Sequence, residues 1–144
     1  MTADQRNSTE RVTTAIGSLG IFVLAVFASI GGPPSEFRSG VPPFVDFLGD
    51  HLLEIYGGAT LVAFAGLLLS FVAQVPGRIT STIGSLMTMF GNLVSFAIGT
   101  AGEGRAALVF VVLSTPFLLL MWAPRLVKGR TRLHSGKSRS PGLG

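Results

Sequence analysis

Only one stretch of the chain gathers carboxylates and an imidazole: Asp46, Asp50, His51 and Glu54. Carboxylates at this spacing suit a hard cation such as Ca²⁺, which takes roughly six to eight oxygen ligands. No second cluster completes a coordination shell, no HExxH-type pattern is present, and cysteine is absent, which excludes thiolate metal sites, disulfides and a Cys nucleophile. Asp46, Asp50 and Glu54 recur every four residues, so they read equally as the solvated face of a helix, with Val45, Leu48, Leu52 and Ile55 on the other side. No metal, cofactor or catalytic residue is assigned, and an enzyme is not expected. A nucleophile and a base, or a metal site, would have to converge at one depth, and no such set can be found.

The second chemically distinct group is cationic. From Arg125 to Gly144 the chain carries Arg125, Lys128, Arg130, Arg132, Lys137 and Arg139 with His134, and neither an acid nor an aromatic residue. Gly, Ser and Pro fill the remainder, so a disordered basic tail over 125–144 is expected. Such a segment adheres to phosphate, either on anionic lipid at about 1 kcal/mol per basic residue or on a nucleic-acid backbone without base readout.

The third group is neutral. Asn92, flanked by Thr88 and Ser95, lies far from any charge in an apolar run, where an unsatisfied amide costs several kcal/mol. It therefore needs a partner, either within the chain or across a homo-oligomer, or else it lines a path for solute.

These residues must be held by the rest of the chain, whose composition points to a bilayer. Of 144 residues 48% are hydrophobic and 12% charged, with mean hydropathy +0.60, whereas soluble domains average about 25% charged. Four runs without Asp, Glu, Lys, Arg or His reach the roughly 20 residues that cross about 30 Å of hydrocarbon: 12–30, 55–75, 79–100 and 106–123. Backbone polar groups in lipid must be satisfied internally, so each run predicts a helix. Arg6 and Arg11 before the first run, with small residues near Ala28, leave a cleaved signal sequence as its second reading. The run's length and the acids Asp4 and Glu10 favour an uncleaved anchor.

Charge sidedness predicts the orientation. Arg6, Arg11, Arg78 and the six basic residues after position 124 fall on one side, and only Arg38 and Arg105 on the other, so both termini are expected inside. Residues 1–11 form a short inner segment and 12–124 the transmembrane domain, with an outer loop and helix extension at 31–54. Pro43 opens that extension, which the spacing predicts as one continuous helix with the second span. Val75-Pro76-Gly77 makes spans two and three antiparallel neighbours, and Gly102-Glu103-Gly104-Arg105 does the same for spans three and four. The fold class is thus an all-α integral membrane protein, an up-down-up-down bundle of four transmembrane helices.

Small residues predict where helices touch, since association in lipid depends on close backbone approach. Ala59, Ala63, Gly66, Ser70 and Ala73 form one stripe, and Gly84, Thr88, Asn92, Ser95 and Gly99 another, placing span three at the centre. Span four is apolar all round, as expected for a lipid-facing helix, with Pro116 kinking it and Ser114 and Thr115 near the freed carbonyl. Trp122 is expected as an interfacial anchor.

Together these features predict a small non-enzymatic multi-pass membrane protein of structural or accessory type, in a prokaryotic cell membrane or a viral membrane. Its interior tail would contact anionic lipid or nucleic acid, and it would self-associate or join a membrane complex. The alternative is a permeation protein. Short spans with a basic inner tail resemble the general layout of holins, and the stripe at Thr88, Asn92 and Ser95 could line a path in a small channel or transporter.

Overall fold

In the computed structural model the regular elements are α1 (Ala3–Gly31), α2 (Pro43–Asp50), α3 (Leu52–Val72), α4 (Gln74–Ile98) and α5 (Ala101–Gly136). Residues 2–31, 33–34, 36–99 and 101–136 are described, without the side chains at 101–104, 106 and 127–136. No β-strand occurs among them. A single bridge, Phe37 to Gly99, ties the α1–α2 connection to the end of α4, where the Arg38 N–H donates to the Ile98 carbonyl at 2.7 Å. Four helices are long and apolar enough to cross a membrane: α1, α3, α4 and the 107–126 part of α5.

The register between α3 and α4 follows from their connection. Ala73 alone separates the two helices, and the residues on either side pair as mirror images about the Ala73–Gln74 bond. A Cβ on Gly77 would lie 2.6 Å from the Ser70 Cα, one on Gly84 2.8 Å from the Ala63 N, and one on Gly91 3.0 Å from the Tyr56 ring. Tyr56, Ala63 and Ser70 thus face Gly91, Gly84 and Gly77, both series stepping by seven. A seven-residue repeat keeps one face of each helix against its partner, and glycine at each step lets the two backbones approach. The α3–α4 pair is the most intimate in the molecule.

α1 packs on both of these helices and on α5. Gly17 and Gly20 of α1 lie under Met121 and Phe117 of α5, and Ser29 of α1 meets Thr60 of α3. Apolar side chains collect in two clusters. Ala28, Leu52, Tyr56, Val94 and Ile98 gather at the end near α2, and Ile21, Ala25, Ala63 and Met121 lie toward the α3–α4 turn. α4 is central, with half of its apolar window buried, and α5 peripheral, with 17% of its window buried. Large apolar side chains such as Val12, Ile16, Phe27, Leu61, Phe71, Leu86, Phe90 and Val112 point outward.

Four expectations are corrected here. The helix containing the third span starts at Gln74, not at 79, because Pro76 sits in its first turn, where the missing N–H has no intrahelical role. Arg78 is therefore a helical residue and not a loop charge. The helix from Pro43 onward is interrupted at His51 (φ −100°, ψ 12°). Gly49 meets the Ile98 side chain, with 2.9 Å to an added Cβ, and Val45 and Leu48 join the nearby cluster. α2 folds against the end of α4 instead of projecting. α5 continues to Gly136, into the stretch expected to be disordered, since extending a helix that already exists avoids the cost of nucleation. Finally, Ser114 and Thr115 donate to the Phe110 and Val111 carbonyls, not to Val112, whose partner Pro116 removes.

Candidate functional site

The buried face of α4 carries Arg78, Ser81, Ser85, Thr88, Asn92 and Ser95, spaced alternately by three and four residues. All are buried, with Arg78, Ser81 and Asn92 at 0% exposure. An alternating three-four spacing keeps side chains on one helix face over many turns, so these six form a continuous polar seam through the bundle.

At the turn end the seam begins with an ion pair. The Arg78 Nη2 is 3.7 Å from the Glu10 Oε2 of α1, and its Nε donates to the Thr14 Oγ1 at 2.8 Å. Thr14 in turn donates to the Glu10 carbonyl at 2.7 Å. Glu10 and Thr14 share a face of α1 because they are one turn apart, and the long arginine stem carries its charge across to them. A buried charge is tolerable only when paired and hydrogen-bonded, which this arrangement provides in part. One turn further on, Ser81 donates to the Ser18 Oγ at 2.9 Å, and Ser18 donates to the Met121 sulfur at 3.5 Å, linking α4, α1 and α5 at one level. Trp122 joins at the same height: its Nε1–H donates to the Thr82 Oγ1 at 3.0 Å, so its polar atom is used inside the bundle.

At the α2 end the seam closes on Tyr56. Its hydroxyl donates to the Asn92 Oδ1 at 2.9 Å and lies 3.0 Å from the Ser95 Oγ. Asn92 thus has an intrachain partner from α3. Beside it, the Ser29 and Thr60 hydroxyls are 2.7 Å apart, and both reach the Ala25 and Tyr56 carbonyls. Between these ends Thr88 bonds back to the Gly84 carbonyl. Among the described residues, three buried side-chain polar atoms have no partner: Arg78 Nη1, Ser85 Oγ and Asn92 Nδ2. All belong to the α4 seam.

The two predicted small-residue stripes are brought together. Ala59, Ala63, Gly66 and Ser70 are buried on α3, and Gly84, Thr88, Asn92 and Ser95 on α4, with Gly99 buried just beyond. Arg125 is exposed on α5, Lys128, Arg130 and Arg132 lie on its helical continuation with side chains outside the description, and Lys137 and Arg139 fall outside the described residues. Asp46, Asp50 and Glu54 are exposed, His51 bonds the Phe47 carbonyl at 2.9 Å, and no metal-binding group occurs among the described residues.

Glu10, Thr14, Ser18, Tyr56 and Arg78 were not anticipated as partners in this site. Glu10 and Arg78 flank apolar runs and read as boundary charges. Tyr56 escaped because the turn was expected at Val75-Pro76-Gly77; with the turn at Ala73, Tyr56 comes opposite Gly91 and beside Asn92. No family model matches the chain, and no curated protein or solved structure shows significant similarity to it.

Proposed function

We propose that the chain is a non-enzymatic, multi-pass membrane protein of structural or accessory type, an up-down-up-down bundle with both termini on the inner side. The observation that carries this reading is the pairing of the polar seam, at both of its ends, with side chains of the same chain. Tyr56, Asn92, Ser95, Ser18, Ser81, Thr14, Glu10 and Arg78 bond one another within one chain, while large apolar side chains face outward. Interhelical polar contacts of this kind hold membrane bundles together at roughly 0.6 to 2 kcal/mol each.

Orientation rests on charge. With Arg78 committed to the bundle, eight of the eleven basic residues still fall before the first span or after the fourth in the sequence, against Arg38 and Arg105 between spans. In this reading the helical extension of α5 to Gly136 would carry the basic segment out of the fourth span to an inner surface. Arg125, Lys128, Arg130 and Arg132 lie within about 10 Å of one another along the axis at 1.5 Å per residue, and Lys137 and Arg139 follow in sequence. Their partner is an anionic surface, either lipid headgroups or a nucleic-acid backbone, in a cell membrane complex or beneath a virion membrane. Self-association is part of this reading only through the outer apolar faces, because the small-residue stripes are already occupied within the chain.

A second reading, permeation, is favoured by one observation: Arg78 Nη1, Ser85 Oγ and Asn92 Nδ2 lack partners along a single face. Water along the seam would satisfy them. Purified protein in liposomes separates the two. The structural reading expects no conductance or dye leak, together with salt-sensitive binding of anionic vesicles or DNA that is lost when 125–144 is deleted. A robust conductance would replace it, and unchanged binding after the deletion would remove the tail's role.

A further inference from the structure

We infer that the groove between α1 and α3 at the turn end seats one anionic phospholipid, with its phosphate on Arg11 and the upper part of an acyl chain along Val12, Ala15 and Phe71. This inference rests on the membrane reading and orientation proposed above.

The groove is a cavity of about 210 Å³ lined by Arg11, Val12, Ala15, Ser70 and Phe71. Its polarity is one-sided. The Ser70 hydroxyl is committed to the Leu67 carbonyl at 2.6 Å, and Val12, Ala15 and Phe71 offer only carbon, which leaves the Arg11 guanidinium as the polar group available to a ligand. Arg11 is exposed and makes no ion pair among the described residues. The neighbouring acid does not compete for it, since the Glu10 carboxylate is turned toward Arg78 on the other side of α1.

The vertical order matches that of a lipid. Arg11 is one turn, about 6 Å, nearer the turn end than Ala15, about level with Ala73, where α3 stops. The cation therefore lies at the depth where the chain turns, and the apolar walls run deeper from Val12 to Ala15 over the following turn. A phospholipid carries its phosphate and its acyl carbons in the same sequence and at a similar separation. A nucleic acid would find no use for Val12, Ala15 and Phe71, a lipid without a phosphate none for Arg11, and a zwitterionic lipid brings a choline cation beside Arg11 that an anionic one does not.

The test uses the full chain reconstituted in phosphatidylcholine vesicles containing a minor fraction of phosphatidylglycerol. The protein is then extracted in mild detergent, and retained lipids are counted by native mass spectrometry. The expected result is retention of phosphatidylglycerol above its share of the vesicle. Arg11→Gln should weaken that preference about five-fold, the change expected for one basic residue at the surface. Ala15→Phe, which fills the groove, should reduce it as well, while Arg11→Lys keeps most of it and Arg38→Gln, at the opposite end, leaves it unchanged. Wild-type retention without headgroup preference, or an Arg11→Gln variant that retains lipid like the wild type, overturns the site. So does a dimer that excludes lipid and dissociates with Ala15→Phe, since a second copy would then cover the groove. If the chain enters vesicles as a helical bundle but shows no preference, the site alone is refuted. If it fails to enter them, the membrane reading falls with it.

Discussion

Replacing Glu10 by Gln tests the ion pair that opens the α4 seam. Its magnitude can be worked from the geometry. Two unit charges 3.7 Å apart at an effective dielectric of about 20 attract by about 4.5 kcal/mol. Removing one partner of a buried pair typically costs about 3–5 kcal/mol, because the other charge is left without compensation. Gln can still accept a hydrogen bond from Arg78, and the Thr14 bond to Nε survives, so the expected loss for Glu10→Gln lies at about 2–4 kcal/mol. Arg78→Met removes the same contact from the other side and should lower stability as well. The double variant loses that contact only once, so the two losses should not add, and a coupling of about 2 kcal/mol or more is expected. The assay is reversible unfolding of wild type, both single variants and the double variant in mixed micelles, followed by helicity and by Trp122 fluorescence. A coupling below about 0.5 kcal/mol, the level at which independent sites add, would show that Glu10 and Arg78 do not interact, and the seam's charged end would have to be redrawn.

Two further outcomes follow from the α3–α4 interface. Tyr56→Phe removes the hydroxyl shared by Asn92 and Ser95 and should cost about 1–2 kcal/mol in the same unfolding assay; a neutral result would mean that Asn92 draws its partner from elsewhere. Gly84→Leu should abolish the folded bundle, because even a Cβ there would lie 2.8 Å from the Ala63 backbone, whereas Gly57→Ala, with nothing within 4 Å of the added carbon, should be neutral or stabilising by about 0.5–1 kcal/mol.

The four long helices were legible because an uncharged run of about 20 residues has few other uses. The centrality of α4 was legible too, since Gly84, Thr88, Asn92 and Ser95 put small and polar residues on one face, where they favour close contact with another helix over lipid. What escaped was the exact position of the turn between α3 and α4, and with it the Tyr56–Asn92 bond, and contact between helices not joined by a short turn. Arg78 follows Val75-Pro76-Gly77, which reads as a turn, yet Pro is also at home in a first helical turn, and that ambiguity moved the residue from loop to bundle. Glu10 becomes its partner only once α1 is known to lie beside α4 with Thr14 and Ser18 at the heights of Arg78 and Ser81. His51 lies within a run of good helical pattern, and the break there arises from packing of Val45, Leu48 and Gly49 on the end of α4, a tertiary effect that local periodicity does not contain. The helical continuation of α5 was hidden by composition, because Gly and Ser in the tail weigh against a helix unless one is already running into it.

The central claim is that the polar seam of α4 is closed by this chain's own helices. The chain has no cysteine, so the double variant Ser18→Cys, Ser81→Cys introduces the only two thiols, at positions whose hydroxyls are 2.9 Å apart and bridgeable by a disulfide. Oxidised in membranes before extraction, it should give a cross-linked monomer that migrates faster than its reduced form. A disulfide-linked dimer in place of that monomer, or two thiols that stay free and reactive, would contradict the account.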